Sequence, residues 1–393
     1  MIVYFVLFNS FGGFSYLKAT LFSTSDSQEY QGYAAWIFGN SDYCNPNRSY
    51  LFPFLIGIAG MFSKVSGIWF MQFLMWLGGC ILVYAAALRI SAGKTVSIIA
   101  LIIAASSFSL MVYTHHALTE VAAFFTLASL IFCLSGDLRN PKQIIWSLFI
   151  CGALAAIKPQ FQPLWYLHAV AAVLFLRKEI FRKPLLILAA AASFAPVLIQ
   201  FAINKAEHNS FSNSAIASYN LRNSVYKKVL FYSEEISFST ERNFNQLPDS
   251  VHDALNKAVL VPADSEIKSY LLDHKSIFLK VWGENVLENL QSGNPYISDE
   301  THHSLNKWVS NFNHNILFGL HCLCLLLWIW FLLANFKKRD AVYFFIFLAG
   351  AIFYYAVATC GTVYWAGDRL LVSSVAVWAI VYPLLISRIV RKK

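Results

Sequence analysis

Apolar residues run along this chain in blocks of roughly 17–23, the helix length needed to cross a bilayer, with short polar segments between them. The blocks predict ten spans, at about 1–18, 67–89, 95–113, 118–135, 143–158, 162–177, 184–203, 314–334, 341–359 and 367–387. Two longer polar intervals, 23–66 and 204–313, interrupt them. The chain therefore divides into a membrane module over 1–203 that carries a first loop at 23–66, a large loop over 204–313, and C-terminal membrane helices over 314–393. The expected fold class is all-α and polytopic. Within the first loop, Glu29 to Phe38 places Tyr30, Tyr33, Ala34 and Ile37 on one helical face. Gly39, Asn40 and the run Cys44-Asn45-Pro46-Asn47 end that helix. Leu51 to Met61 is apolar but too short to span, and reads as a second, interfacial helix.

Charge placement orients the spans. With the N-terminus in the cytoplasm, alternation puts half of the 30 basic residues in short inner loops or the tail, in clusters around Arg89 and Lys94, Arg139 and Lys142, Arg177 to Lys183, Lys337 to Arg339 and Arg388 to Lys393. The short outer segments hold only Lys18, Arg48, Lys64, Lys158 and Arg369, and the rest lie in the long loop, which the positive-inside rule does not count. Both termini are then cytoplasmic and both polar loops are external. Composition agrees: 58% of the 393 residues are hydrophobic and 13% charged, against about 25% charged in soluble domains. The net charge of +9 does not indicate nucleic acid, because it sits in the short clusters that set membrane orientation. The seven cysteines show no CxxC pair. Cys44 and Cys360 are the two in outer segments, which leaves a disulfide between them open in an oxidising compartment. Residues 1–17 lack a basic leader and a small-residue cleavage site, and read as the first span.

The loop at 204–313 turns to Asn, Ser, Glu, His and Lys, and reads as having too few apolar residues for a sizeable core of its own. Short helices are expected, one of them over Ser265 to Leu290, with Trp282, Leu287, Leu290 and Tyr296 resting on the membrane or covering a cavity. No internal repeat is present, which weighs against a transporter built from inverted halves.

Ionisable groups at membrane depth are costly and usually face a cavity. Asp26, Glu29, Arg48, His115, His116, Glu120, Lys158, Asp368 and Arg369 all fall at outer span ends or in short outer loops. Five separate stretches thus bring charge to one membrane level, as an outward-facing polar cavity requires. Each also has a plainer reading. Glu29 favours the positive end of a helix dipole. His115 and His116 suit an interface, and Thr119 with Glu120 suits a helix cap. Lys158, before Pro159, suits a snorkelling lysine, and Asp368 with Arg369 a local ion pair. His302 and His303 read as solvated loop residues rather than a metal pair.

In order along the chain stand Asp26 in Ser25-Asp-Ser-Gln-Glu-Tyr30, Arg48 before the apolar 51–61 helix, His116-Ala-Leu-Thr-Glu120, Lys158-Pro159 and Gly367-Asp-Arg369. This series resembles the C-type (GT-C) membrane glycosyltransferases, a superfamily that includes protein O-mannosyltransferases, aminoarabinose transferases acting on lipid A, and enzymes that modify O-antigen. The likeness covers most of 1–200 and the last 35 or so residues, and not the long loop. The adjacent Asp-Glu pair of the protein mannosyltransferases is missing, which argues against a protein acceptor. The resemblance implies an inverting transfer of sugar from a polyprenyl-phosphate donor to an extracytoplasmic glycan or lipid-linked acceptor of the cell envelope, at the periplasmic face of a bacterial inner membrane. A polyprenyl-phosphate sugar synthase and a flippase would act upstream. Asp26 is then the expected general base, with Glu120 as a second catalytic carboxylate. Lys158, Arg369 and Arg48 are the expected phosphate ligands. Glu29, Tyr30, His115, His116 and Asp368 are expected to touch substrate. No nucleotide-binding glycine loop and no Asp-x-Asp pair is present, so no cofactor or metal is expected beyond the lipid-linked donor.

Three rivals stay open. A transporter or lipid flippase predicts charge near the bilayer midplane and broken helices in matched halves. A polysaccharide polymerase or ligase predicts a large loop rich in catalytic Arg and His. A membrane O-acyltransferase predicts a buried histidine within a span, for which His168 is the candidate.

Overall fold

The computed structural model describes residues 13–90, 93–137, 140–180, 184–211, 214–233, 249–294, 311–337, 340–364 and 366–390, together with Phe244, Leu247 and Trp308. All regular structure among them is helical, with no strand. The chain forms two compact units: Met1–Ser214 with Gly319–Ala356 and Leu371–Lys393, and Ala215–Phe318 with Val357–Leu370.

The first unit opens with α1 (Gly13–Thr20), α2 (Ser25–Ile37), α3 (Leu51–Phe62), α4 (Ser66–Arg89), α5 (Lys94–Ala105) and α6 (Phe108–Tyr113). It continues through α7 (Thr119–Leu134), α8 (Pro141–Ile157), α9 (Gln162–Ile180), α10 (Pro184–Ala192) and α11 (Ala195–His208). At its centre is α7. Val121, Ala122, Ala123 and Phe124 point in every direction around that helix and all are buried, as a helix apolar on all sides must be. It packs between α4 and α8. Gly79 lets α4 come close, because a Cβ there would stand 2.3 Å from the Phe124 ring.

Among the described residues, three helices are long and apolar enough to cross a membrane, Ser66–Arg89, His314–Asn335 and Ala341–Thr362. A fourth crossing is formed if Leu185–Ala192 and Ala195–His208, bent by 50° at their junction, count as one. These helices make the chain a membrane-associated, all-helical protein. The sequence blocks predict ten spans; most of the remaining ones fall on shorter or interrupted helices. The block at 95–113 is two helices, α5 and α6, parted at Ser106 and Ser107. The block at 184–203 is the bent pair, with Pro196 in the first turn of α11. At 16 residues, α7 is about 24 Å long against a hydrocarbon core of about 30 Å. Most of the block at 1–18 lies outside the described residues.

The second unit contains α12 (Ile216–Asn220), α13 (Lys227–Ser233), α14 (Asp249–Ala258), α15 (Asp264–Asp273) and α16 (Lys275–Gln291), with a π-helical turn at Leu221–Tyr226. It has a core of its own, contrary to the expectation from composition. Val225 and Val229, Val251 and Leu255, and Ile267 and Leu271 meet Phe231, Phe244 and Val281. The reason is periodicity. Helices α14 and α15 each carry one buried apolar pair four residues apart on an otherwise polar surface, so the average looks polar while the stripes add up. The helix expected over Ser265 to Leu290 is two, α15 and α16, parted at His274. Tyr296, His302 and His303 lie outside the described residues.

The chain closes with α17 (Phe318–Asn335), α18 (Ala341–Thr359), α19 (Arg369–Val372) and α20 (Val375–Val390). In the first unit α20 packs on α4, α5 and α7. Cys44 and Cys360 are both buried and neither forms a disulfide.

Candidate functional site

The first loop is built around its helix start. Thr24 caps α2: its hydroxyl accepts the Ser27 amide at 3.1 Å, and the Ser27 hydroxyl accepts the Thr24 amide at 3.2 Å. The helix therefore begins one turn before the predicted Glu29. That puts Asp26 in its first turn and Glu29 one turn on, on the same face. Arg48 bonds both carboxylates, with Nη2 at 2.5 Å from Asp26 Oδ1 and Nε at 2.7 Å from Glu29 Oε2. A turn aims the arginine: the Asn47 amide donates to Asn45 Oδ1 at 2.9 Å, and Asn45 Nδ2 donates to Glu29 at 3.2 Å. Tyr30 lies under the guanidinium, 4.9 Å from its centroid, and rests edge-on against Phe52 of α3. Burial works against the charge on Arg48, but Tyr30, Asp26 and Glu29 outweigh it and hold the guanidinium above its ordinary range.

A second cluster stands where α7 begins and α8 ends. Glu120 is in the first turn of α7 and Lys158 caps α8 just before Pro159. Their charged atoms are 3.7 Å apart, with side chains 1% and 8% exposed. The turn before α7 carries His115 and His116, both buried. His115 Nδ1 lies 3.1 Å from the Met111 carbonyl, which can only accept, so the proton is on Nδ1. Burial pushes His115 down to about 4, so it is neutral at ordinary pH.

Backbone contacts join the two clusters. The Ala117 amide donates to the Leu21 carbonyl at 2.9 Å, and Gln72 Nε2 donates to the carbonyls of Thr114 and His116 at 3.2 and 2.9 Å. Asp26 follows Leu21 closely and Glu120 follows Ala117, so Asp26, Glu29, Tyr30, Arg48, His115, His116, Glu120 and Lys158 gather at one end of the first unit. Two residues that hold this end went unread in the sequence. Gln72 is a lone buried amide in an apolar span. Gln200 Oε1 accepts the Tyr50 amide at 2.6 Å, and Gln200 is itself bonded to Asn204 at 3.0 Å. Polar side chains within apolar helices were the available signal.

Asp368 and Arg369 belong to the second unit. Their turn is held by α16. Asn289 Nδ2 donates to the Cys360 and Val363 carbonyls at 3.0 and 2.7 Å, and its Oδ1 accepts the Ala366 amide at 2.9 Å. Asn285 Nδ2 donates to the Gly361 carbonyl at 3.1 Å, while its Oδ1 accepts from Lys228 at 3.0 Å. Gly361 has to lack a side chain, since a Cβ would stand 2.2 Å from the Trp282 indole. Gly367 takes φ +60°, and the buried Asp368 follows it. Lys228, also unread in the sequence, is buried beside Glu288. Burial holds its amine below the usual lysine range against the pull of Glu288 and Glu284.

No protein-family model, curated protein or solved structure matches the chain. Function therefore rests on the residues and their geometry.

Proposed function

We propose that the chain is an inverting membrane glycosyltransferase of the C-type. It would move a sugar from a polyprenyl-phosphate donor to a glycan or lipid-linked acceptor outside a bacterial inner membrane, most simply in modification of a surface polysaccharide. The observation that carries this reading is the gathering of Asp26, Arg48 and Glu29 with Glu120 and Lys158 at one end of the first unit. Asp26 acts as the base for the acceptor hydroxyl, and Arg48 beside it fixes where the carboxylate stands. Glu120 and His116 orient sugar or acceptor. Lys158 binds the departing phosphate, with Arg48 as a second cation. In this reading both termini are cytoplasmic and the ten apolar segments cross the bilayer, short helices included, where the bilayer thins or neighbours cover their ends.

The bent pair α10–α11 favours a second reading, a transporter or flippase of lipid-linked sugar, since interrupted helices line transport sites. Purified protein in vesicles, given a radiolabelled polyprenyl-phosphate sugar and a membrane glycan extract, separates the two. Label entering the glycan supports transfer. Label crossing the bilayer still attached to its lipid, with none in the glycan, supports transport and overturns the transferase reading.

A further inference from the structure

At the far end of α7 and α8 from the candidate site is an open cavity of about 260 Å³. From Glu120 to Cys133 is thirteen residues of α7, about 20 Å of helix, so this cavity and the Glu120–Lys158 pair occupy opposite ends of the same two helices. Arg89, from the last turn of α4, and Lys142, from the first turn of α8, bring two cations to it. Neither forms an ion pair with a carboxylate among the described residues. Arg89 is nonetheless held in place. Its Nη2 donates to Gln143 Oε1 at 3.3 Å, its guanidinium lies over the Phe132 ring at 5.1 Å, and Gln143 in turn donates to the Cys133 carbonyl. The guanidinium also rests where Gly136 has no side chain; a Cβ there would stand 2.5 Å from Nη2. Asn140 already caps the helix by accepting the Lys142 amide at 3.1 Å, so the attraction for an anion comes from the two side chains. Beside them Trp146 is 60% exposed and Ile150 completes an apolar wall that continues onto exposed Phe149.

We propose that this cavity binds the phosphate of an anionic phospholipid in the leaflet opposite the candidate site. Arg89 and Lys142 take the phosphate, and an acyl chain lies along Trp146, Ile150 and Phe149. Two cations without an ion pair among the described residues, one fixed by its neighbours, set against an exposed aromatic wall match a headgroup and its tail together. This site does not depend on the sugar-transfer reading.

Native mass spectrometry of the full chain, loaded in detergent with phosphatidylglycerol or phosphatidylcholine, tests it. The wild type should retain phosphatidylglycerol about tenfold better than phosphatidylcholine. Arg89→Gln with Lys142→Gln should remove that preference. Gly136→Ala, which keeps both charges but displaces the guanidinium, should weaken it. Lys142→Gln alone changes an exposed residue and guards against a folding defect; it should lose part of the preference. Equal retention of both lipids by the wild type, or an unchanged preference in the double variant, overturns the proposal. If inorganic phosphate titrates against Arg89 and Lys142 while phosphatidylglycerol is not retained, the lipid source is overturned and a soluble phosphate takes its place.

Discussion

The two charge clusters of the first unit solve one problem in opposite ways. Arg48 reaches Asp26 and Glu29 at 2.5 and 2.7 Å, with carboxylate side chains 22% and 38% exposed. Glu120 and Lys158 stand 3.7 Å apart and are almost wholly buried. The first is set by local chemistry: a capped helix start, a turn at Asn45 and a tyrosine under the guanidinium. The second is set by the packing of α7 and α8. Arg48 is largely buried, but its two carboxylates keep part of their surface in water, so they can meet a substrate and the loss of Arg48 costs less. The buried pair has little such screening, and each charge there is stabilised by the other.

That contrast orders the expected effects. Glu120→Ala removes the carboxylate 3.7 Å from buried Lys158, and should destabilise the protein by about 3–5 kcal/mol in detergent unfolding. Glu120→Met combined with Lys158→Met should recover most of that loss. If the double variant is no better than the single one, the pair is not coupled and the contrast fails.

Acid is the next largest lever. Free histidine takes a proton near 6.5, and buried His115 does so at about 4. Between those values the unfolded chain holds a proton that the folded chain refuses, so stability should fall as pH drops from 6.5 to 4. The total is about 3 kcal/mol. His115→Asn, which keeps a donor for the Met111 carbonyl, should flatten the dependence of the unfolding midpoint on pH over that range.

Arg48→Ala should cost less, about 1–2 kcal/mol, because its partners stay solvated. Thr24→Ala should cost about 1 kcal/mol through the lost cap. A loss from Arg48→Ala as large as that from Glu120→Ala would erase the distinction between the clusters.

The same distinction explains what the sequence disclosed. Local signals were readable: the turn residues after α2, the apolar helix at 51–62, and the charges at Glu120 and Lys158 that share one membrane level. Distant partnerships were not. Gln200 meets the Tyr50 amide from 150 residues away, and Asn285 and Asn289 hold carbonyls more than 70 residues on. Neither side of such a bond announces the other. The core of the second unit was hidden because its apolar pairs are spread over several polar helices. The breaks within 95–113 and 184–203 were hidden because hydropathy reports burial and not helix continuity. The start of α2 was misread by a turn because its cap is a Thr24–Ser27 pair rather than the Ser/Thr with Glu pattern.

The central claim is that Asp26 is the base for sugar transfer, and Asp26→Asn tests it most directly. This change keeps the size of the side chain and an oxygen for Arg48, and it removes the proton acceptor. Transfer from polyprenyl-phosphate sugar to a membrane glycan acceptor should then fall about 10²–10⁴-fold with donor binding largely retained, while Glu29→Gln changes it far less. Wild-type transfer by Asp26→Asn, alongside an inactive Glu120→Gln, would contradict the claim and move the base to Glu120.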